Sequence, residues 1–298
     1  MSFDICIKAP AKVNIGLKVL KNESGTSGIA GYHNIESIFQ TVDFCDELRV
    51  TRIPEKKCVI RCPQMSLPSE NTLTKTYSAF LSETGIDFGV KVELNKNLPA
   101  GGGLGGGSSD GASLLKALSE LSQIPLTKEL ADNVASRVGS DVFFFLHSGF
   151  FENGRGCALV SGRGEVVQPI SPRTNLNFLL VFTGLHSSTA EAYSLVDAAY
   201  ESGFYDSPEG LSFPDFSELK NLYYKNAASW NFSNSFTPVL TKKYPAIGEA
   251  LQDIIDSGAD WADMSGSGAT VFGVFESALA ANEAFNKCQK KWKCVLTR

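Results

Sequence analysis

The chain runs to 298 residues, enough to bury a substantial core in one large or two modest domains. A formal net charge of -5 argues against nucleic-acid binding through a broad basic face, and no apolar run approaches the about 18 residues of a membrane span. The N-terminus has no basic start, apolar centre or small-residue cleavage site, so a cytoplasmic location without nucleic-acid or membrane partners is expected.

Residues 5–20 alternate, with Val13, Ile15, Leu17 and Val19 on one face of an expected strand behind a turn at Ala9-Pro10. Lys12 and Asn14 share the other face, which on this evidence alone reads as solvated. A loop by composition over 22–28 precedes Gly31-Tyr32-His33, an aromatic and an imidazole that could simply be packed and hydrogen-bonded. Residues 41–51 and 58–62 read as antiparallel strands around Ile53-Pro54-Glu55-Lys56. A helix over 71–83 would bury Leu73, Tyr77, Phe80 and Leu81 and end at Gly85. The alternation of Ile86, Phe88, Val90, Val92 and Leu94 then marks a strand.

That strand feeds Leu98-Pro99-Ala100-Gly101-Gly102-Gly103-Leu104-Gly105-Gly106-Gly107-Ser108-Ser109-Asp110, six glycines around one leucine. Glycine admits positive φ and lacks a Cβ, so a ligand can approach successive backbone N–H groups. A helix follows over 111–121, and Ser108, Ser109 and Asp110 are each suited to cap it. Free N–H donors at a helix N-terminus favour an anion, most often phosphate. Gly101, Gly103 and Gly106 satisfy G-x-G-x-x-G, but the next helix runs into another over 126–138 where a dinucleotide fold needs a parallel strand. A Walker loop needs a lysine where Ser108-Ser109 stand.

Gly139-Ser140-Asp141 precedes a solidly apolar run, so Asp141 is held at the edge of the core as a capping or turn aspartate or a functional acid. Residues 160–165 read as a hairpin turn, 176–182 as a strand, and Ser188 begins a helix. Residues 201–234 carry little periodicity. A helix over 245–256 would turn Ile247, Leu251, Ile254 and Ile255 inward and stop at Gly258. A second small-residue loop, Asp263-Met264-Ser265-Gly266-Ser267-Gly268-Ala269-Thr270, enters a strand over 271–275, then a helix over 278–287 and a strand over 294–297. This strand-helix-helix-strand-helix-strand order is compatible with a ferredoxin-like second domain. Seven cysteines without C-x-x-C spacing and three scattered histidines suit neither a disulfide framework nor a structural zinc site.

Pro99 to Ser109 resembles P-x-G-x-G-L-G-x-x-S-S, the second signature of the GHMP kinases. Ala9-Pro10-Ala11-Lys12-Val13-Asn14 resembles the first signature, specifically A-P-A-K-[IVL]-N of 4-diphosphocytidyl-2-C-methyl-D-erythritol kinases. Met264 to Ala269 resembles the third, M-[ST]-G-[SA]-G-[SAP]. Gly31-Tyr32-His33, Gly139-Ser140-Asp141 and Ser188-Thr189-Ala190-Glu191-Ala192-Tyr193 are similar to further strings of that kinase family. Phe143 departs from its usual Pro, and 231–234 keep the Asn of an N-D-[LF]-E pattern without its acids.

The resemblance implies an α+β, two-domain GHMP kinase fold, with a ribosomal-protein-S5-like domain at 1–170 and a ferredoxin-like domain at 171–298. It implies that Pro99, Gly101, Gly102, Gly103, Leu104, Gly105, Gly106, Gly107, Ser108 and Ser109 bind ATP, supported by Ser265, Gly266, Ser267 and Gly268. Asp141 would be the base and Lys12 its partner, with Asn14, Tyr32 and His33 on a cytidine diphosphate alcohol, Tyr32 stacking on the base. Mg²⁺ is implied without an assigned ligand, Ser108 or Ser109 being the nearest guess, and the oligomeric state is left open. The implied reaction is ATP-dependent phosphorylation of the C2 hydroxyl of 4-diphosphocytidyl-2-C-methyl-D-erythritol in non-mevalonate isoprenoid synthesis. A sister GHMP kinase for mevalonate, homoserine or a sugar would share the loops but has no reason to keep Tyr32-His33. A non-catalytic nucleotide binder need not keep both Lys12 and Asp141.

Overall fold

The computed structural model describes residues 4–21, 33–207 and 211–298. β1 (Asp4–Val19) and β2 (Ile35–Ile53) pair antiparallel from Asp4 against Thr51 to Val19 against Ile35. β3 (Cys58–Arg61) and α1 (Thr72–Thr84) lead to β4 (Gly89–Asn95). The expected hairpin of β2 with β3 does not form: β4 lies between them, antiparallel to β2 and parallel to β3. The reason is visible at Gly89, which passes so close under residues 55–57 that a Cβ would lie 2.0 Å from the Glu55 carbonyl oxygen. The turn after β2 thus docks on the start of β4, where Val90 N–H donates to Lys57 O at 2.9 Å.

α1 is bounded as its sequence implies. Asn71 caps it, with a reciprocal bond from its own N–H to Thr74, and Gly85 closes it at φ 67°. α2 (Gly106–Ser122), α3 (Lys128–Val138), α4 (Ser140–His147) and α5 (Phe150–Asn153) follow, and α1, α2 and α4 contribute Phe80, Leu114, Leu115, Leu118 and Phe144 to one core with Val90 and Val92 of β4. β5 (Cys157–Ser161) and β6 (Val166–Pro169) form the expected hairpin, and β5 pairs with residues 37–40 of β2.

The second sheet begins with β7 (Asn177–Phe182), followed by α6 (Thr189–Glu201). Residues 211–234 hold single turns and α7 (Leu219–Tyr223) around buried Tyr223, Trp230 and Phe232, which is why no helical or strand period marks them. α8 (Phe236–Lys243) and α9 (Pro245–Asp256) precede β8 (Trp261–Met264), a four-residue strand that sequence pattern misses. β9 (Thr270–Phe275), α10 (Ala278–Cys288) and β10 (Lys293–Thr297) complete an antiparallel sheet of order β10-β7-β9-β8, the split β-α-β-β-α-β arrangement. Ile255, expected inward, is 46% exposed, because Ile247 and Ile254 define the buried side of α9.

β1 joins the halves. Residues 9–17 are buried without interruption, so the Lys12–Asn14 face is not solvated as its spacing alone suggested. Ala11, Val13 and Ile15 pack with Phe178 and Leu180 of β7 and Phe272 of β9, while Lys12 and Asn14 face a cavity. The outer edge of β1 is closed by backbone from both halves: Lys12 N–H donates to Leu104 O at 2.9 Å and Leu17 N–H to Ser233 O at 2.8 Å. Among the described residues no helix is long and apolar enough to cross a membrane, and all seven cysteines are free thiols.

Candidate active site

The glycine loop and the start of α2 form one wall of a cavity of about 450 Å³. α2 begins earlier than its sequence suggests. Its N-cap is Gly105, at φ 69° and without a side-chain cap, so Ser108 and Ser109 lie in the first turn and Asp110 just beyond it, and none of them caps the helix. The first intrahelical bond is Ser109 N–H to Gly105 O at 2.9 Å, which leaves the N–H groups of Gly106, Gly107 and Ser108 without a helical acceptor. Pro99, Gly101, Gly102, Gly103, Leu104, Gly105, Gly106, Gly107 and Ser108 all line the cavity, whereas Ser109 is buried one layer behind, its hydroxyl without a partner among the described residues.

The third-signature loop presses on this wall. Ser265 Oγ donates to Gly103 O at 3.0 Å, and a Cβ on Gly103 would lie 2.0 Å from the Ser265 carbonyl oxygen. Gly103 also sits at φ 76°, so glycine is required twice over. Gly266 and Ser267 reach the cavity, and Gly268 N–H closes the turn on Ser265 O at 3.0 Å. Asn234 anchors this loop from below, its amide donating to Met264 O at 2.7 Å and Gly266 O at 2.9 Å. The sequence marks 231–234 only for keeping an Asn without its acids and gives Asn234 no role, because the segment around it carries no period.

Lys12 and Asp141 meet across the cavity. The Lys12 ammonium donates to Asn14 Oδ1 at 2.6 Å, lies 3.6 Å from Asp141 Oδ2 and sits 4.7 Å over the Phe39 ring. Burial lowers its pKa, and the Asp141 carboxylate opposes that fall. Asp141 occupies the first turn of α4, where a carboxylate suits the helix dipole, and its side chain is 32% exposed toward the cavity. The half-buried Phe143 is absorbed within α4, its ring 6.5 Å from that of His147. Asn14 is fixed in turn by its amide donating to Ser37 Oγ at 3.3 Å.

The end of the cavity beyond Asn14 has aromatic walls, Tyr193 of α6 and Phe236 of α8, with rings 5.0 Å apart and edge to face. His33 lies behind Tyr193, stacked on it at 4.8 Å, with Nε2 2.6 Å from Asp197 Oδ1. Burial and the nearby Asp141 charge push the Tyr193 phenol up to about 12, so it stays a neutral hydroxyl. Tyr32 falls outside the described residues. A further set that no spacing reveals, Asp46, Lys96 and Asp110, lies under the opposite end.

An uncapped helix start facing a lysine–carboxylate pair is the geometry of a small-molecule kinase, and the family comparison agrees. The family model for the GHMP kinases N terminal domain matches residues 71–149, and that for the GHMP kinases C terminal matches residues 209–294. The 4-diphosphocytidyl-2-C-methyl-D-erythritol kinase of Treponema pallidum is 37% identical over 297 residues, spanning 99% of this chain and 98% of its own. That of Thermotoga maritima is 36% identical over 269 residues, 89% of this chain and 90% of its own. A crystal structure of 4-(cytidine 5'-diphospho)-2C-methyl-D-erythritol kinase superposes with a TM-score of 0.76 at 27% identity over 98% of each chain. The homoserine kinase of Cytophaga hutchinsonii, at 18% identity and a TM-score of 0.70 over 99% of this chain and 94% of its own, shares the fold. The chain belongs to the 4-diphosphocytidyl-2-C-methyl-D-erythritol kinase family of the GHMP kinases.

Proposed function

We propose that this protein transfers the γ-phosphoryl group of ATP to the C2 hydroxyl of 4-diphosphocytidyl-2-C-methyl-D-erythritol, the kinase step of the non-mevalonate route to isoprenoid precursors. The observation that carries the reading is the meeting, in one cavity, of an uncapped α2 N-terminus with Lys12 and Asp141 3.6 Å apart. The free N–H groups of Gly106, Gly107 and Ser108 suit the β- and γ-phosphates. Asp141 accepts the acceptor's hydroxyl proton as the new O–P bond forms, and the bond from the γ-phosphorus to the departing ADP oxygen breaks. Lys12 steadies the Asp141 carboxylate and the negative charge that develops on the attacking oxygen.

At the acceptor end we assign Asn14, Tyr32 and His33 to the cytidine diphosphate alcohol. Tyr193 and Phe236 supply aromatic surface of the kind that holds a base by stacking. With Nε2 of His33 engaged by Asp197, Nδ1 is the atom we assign to the base edge.

The oxygen donors at the loop–helix junction fit Mg²⁺ that arrives on the triphosphate. Ser108 lines the cavity and is the side-chain oxygen we assign to the ion, while the Ser109 hydroxyl, without a partner among the described residues, stands one layer behind it. Among the described residues no group of three or more His, Cys, Asp or Glu gathers to hold a metal, which suits an ion bound chiefly by phosphates. There Mg²⁺ would neutralise charge on the transferring group. Free thiols throughout favour a reducing compartment, and we place the reaction in the cytoplasm.

The test is ADP release with ATP and a panel of alcohols: the cytidine diphosphate alcohol, mevalonate, homoserine and a hexose. Turnover confined to the cytidine diphosphate alcohol supports the proposal. Preference for another member of the panel would overturn the substrate, and no turnover with any would overturn the kinase.

A further inference from the structure

Below the nucleotide end of the cavity lies a set of buried charges that the transfer chemistry does not use. Lys96 follows β4 directly, and its ammonium is paired with Asp46 of β2 and with Asp110 Oδ2 at 2.9 Å. The three side chains are 9%, 0% and 5% exposed in that order. Asp46 also accepts the backbone N–H groups of Asn97 at 2.6 Å and Leu98 at 2.9 Å, pinning the stretch that enters the glycine loop. Asp110 is the fifth residue of α2, just beyond its first turn. One ammonium therefore ties β2, the entry to the loop and the helix that follows it.

Such an arrangement contributes little as pure stability. Burying three charges costs several kcal/mol per ion, and apolar side chains of similar volume are often as stable or better. Its position says what else it does. A Cβ on Gly106 would lie 3.3 Å from Lys96 Nζ, so the ammonium packs on the first residue of α2, whose N–H is one of the free donors. Lys96 and Asp110 both line the cavity. Burial pushes the Asp110 carboxyl up, Lys96 pulls it back toward the ionised form, and the Asp46 charge adds to the rise. Asp110 Oδ1 has no partner among the described residues, so Lys96 is the contact that orients that carboxylate.

We propose that Lys96 is a nucleotide-positioning residue: clamped between Asp46 and Asp110 and packed on Gly106, it fixes the start of α2, and with it the N–H groups of Gly106 and Gly107 that meet the triphosphate. The inference rests on the reading that ATP occupies this cavity. It predicts a loss specific to one of the two substrates, because the acceptor end, at Asn14 and Tyr193, lies on other elements.

The experiment measures ADP and ATP affinity of the full chain by calorimetry, together with KM for both substrates and the thermal midpoint. Lys96→Met keeps the stem and removes the charge. It should weaken nucleotide binding at least about tenfold while acceptor KM stays within about twofold, and Lys96→Arg should recover most of the loss. Asp110→Asn preserves shape and one oxygen toward Lys96, and should weaken nucleotide several-fold. The double variant should lose less than the product of the two single losses, as coupled groups do. Unchanged nucleotide affinity in Lys96→Met, equal losses for both substrates, or a folded Lys96→Arg with no recovery would overturn the role. If Lys96→Met does not fold, Asp110→Asn decides, and wild-type affinity there overturns it. A wild-type chain that binds no ATP sinks the functional reading itself, whereas a binding wild type with an indifferent Lys96→Met sinks only the positioning role.

Discussion

Asp141→Asn removes one negative charge from the cavity while keeping the shape of the side chain in the first turn of α4. That charge lies 3.6 Å from Lys12 Nζ. At this separation two unit charges attract by about 1 kcal/mol in water and about 5 kcal/mol at an effective dielectric of about 20. The pair sits between these limits, with Lys12 4% exposed and Asp141 32%. Three outcomes are expected. Turnover should fall by about 10²–10⁴, the range for a lost proton acceptor. Burial already lowers the Lys12 pKa against the pull of Asp141, so removing that pull moves the pKa further down. The alkaline limb of the residual activity should therefore begin at lower pH than in the wild type. ATP affinity should stay within about twofold, because the donors proposed for the phosphates are backbone N–H groups. Single-turnover ADP release across pH, with nucleotide calorimetry beside it, reads all three. Turnover within a few fold of wild type would remove Asp141 from the role of base, and a large loss of ATP affinity would refute the division between donor and acceptor walls.

Gly103→Ala places a methyl on the Ser265 carbonyl and forces a side chain to φ 76°, so ATP KM should rise by more than about tenfold and the thermal midpoint should fall; unchanged values would mean the two loops do not need this close approach. Asn234→Ala strands two buried carbonyl oxygens, at a cost of about 1–3 kcal/mol each, read by urea unfolding, with ATP KM rising as the third-signature loop loosens. Burial pushes the Asp263 carboxyl, which accepts from Thr237 Oγ1 and Met264 N–H, up to about 7. Its native form then binds more protons than the unfolded chain between about pH 4 and 7, so stability falls as pH rises through that window, by at most about 4 kcal/mol. Asp263→Asn should flatten this slope in unfolding titrations at a series of pH values, and an unaltered slope would assign it to other groups.

Local physics made some elements legible. Gly85 announces the end of α1 because capping is decided by adjacent residues, while Asn71, read as the first helical residue, is the N-cap. Alternation marks β1, and glycine density marks the loop that walls the cavity. Spacing alone misjudged the Lys12–Asn14 face, since a strand buried on both sides still alternates when one face holds functional polar groups. The β2–β3 hairpin failed because neighbourhood along the chain is the usual guide to pairing and Gly89 instead admits the 55–57 turn. α2 was expected to start late, since serine and aspartate favour N-caps, yet an uncapped glycine start leaves the donors for a ligand. Asp46 and Lys96 are 50 residues apart, and nothing local to either marks the partnership. Tyr193 stood within a string of family resemblance, but only the fold turns its ring toward the cavity.

The outer edge of β1 also sets a schedule. Val19 N–H donates to Ser235 Oγ, 216 residues later. At about 5–20 residues per second, a ribosome reaches Ser235 about 10 to 40 seconds after Val19. Until then the end of β1 from Leu17 to Val19 presents an open edge, a template on which another nascent chain can pair. The edge at Lys12 is already covered by Leu104. A fragment stopping at residue 170 would hold the glycine loop, Lys12 and Asp141, yet lack both Ser233 at that edge and Ser265 behind Gly103. β1 is thus the first strand synthesised, and its far end is among the last edges to be sheltered.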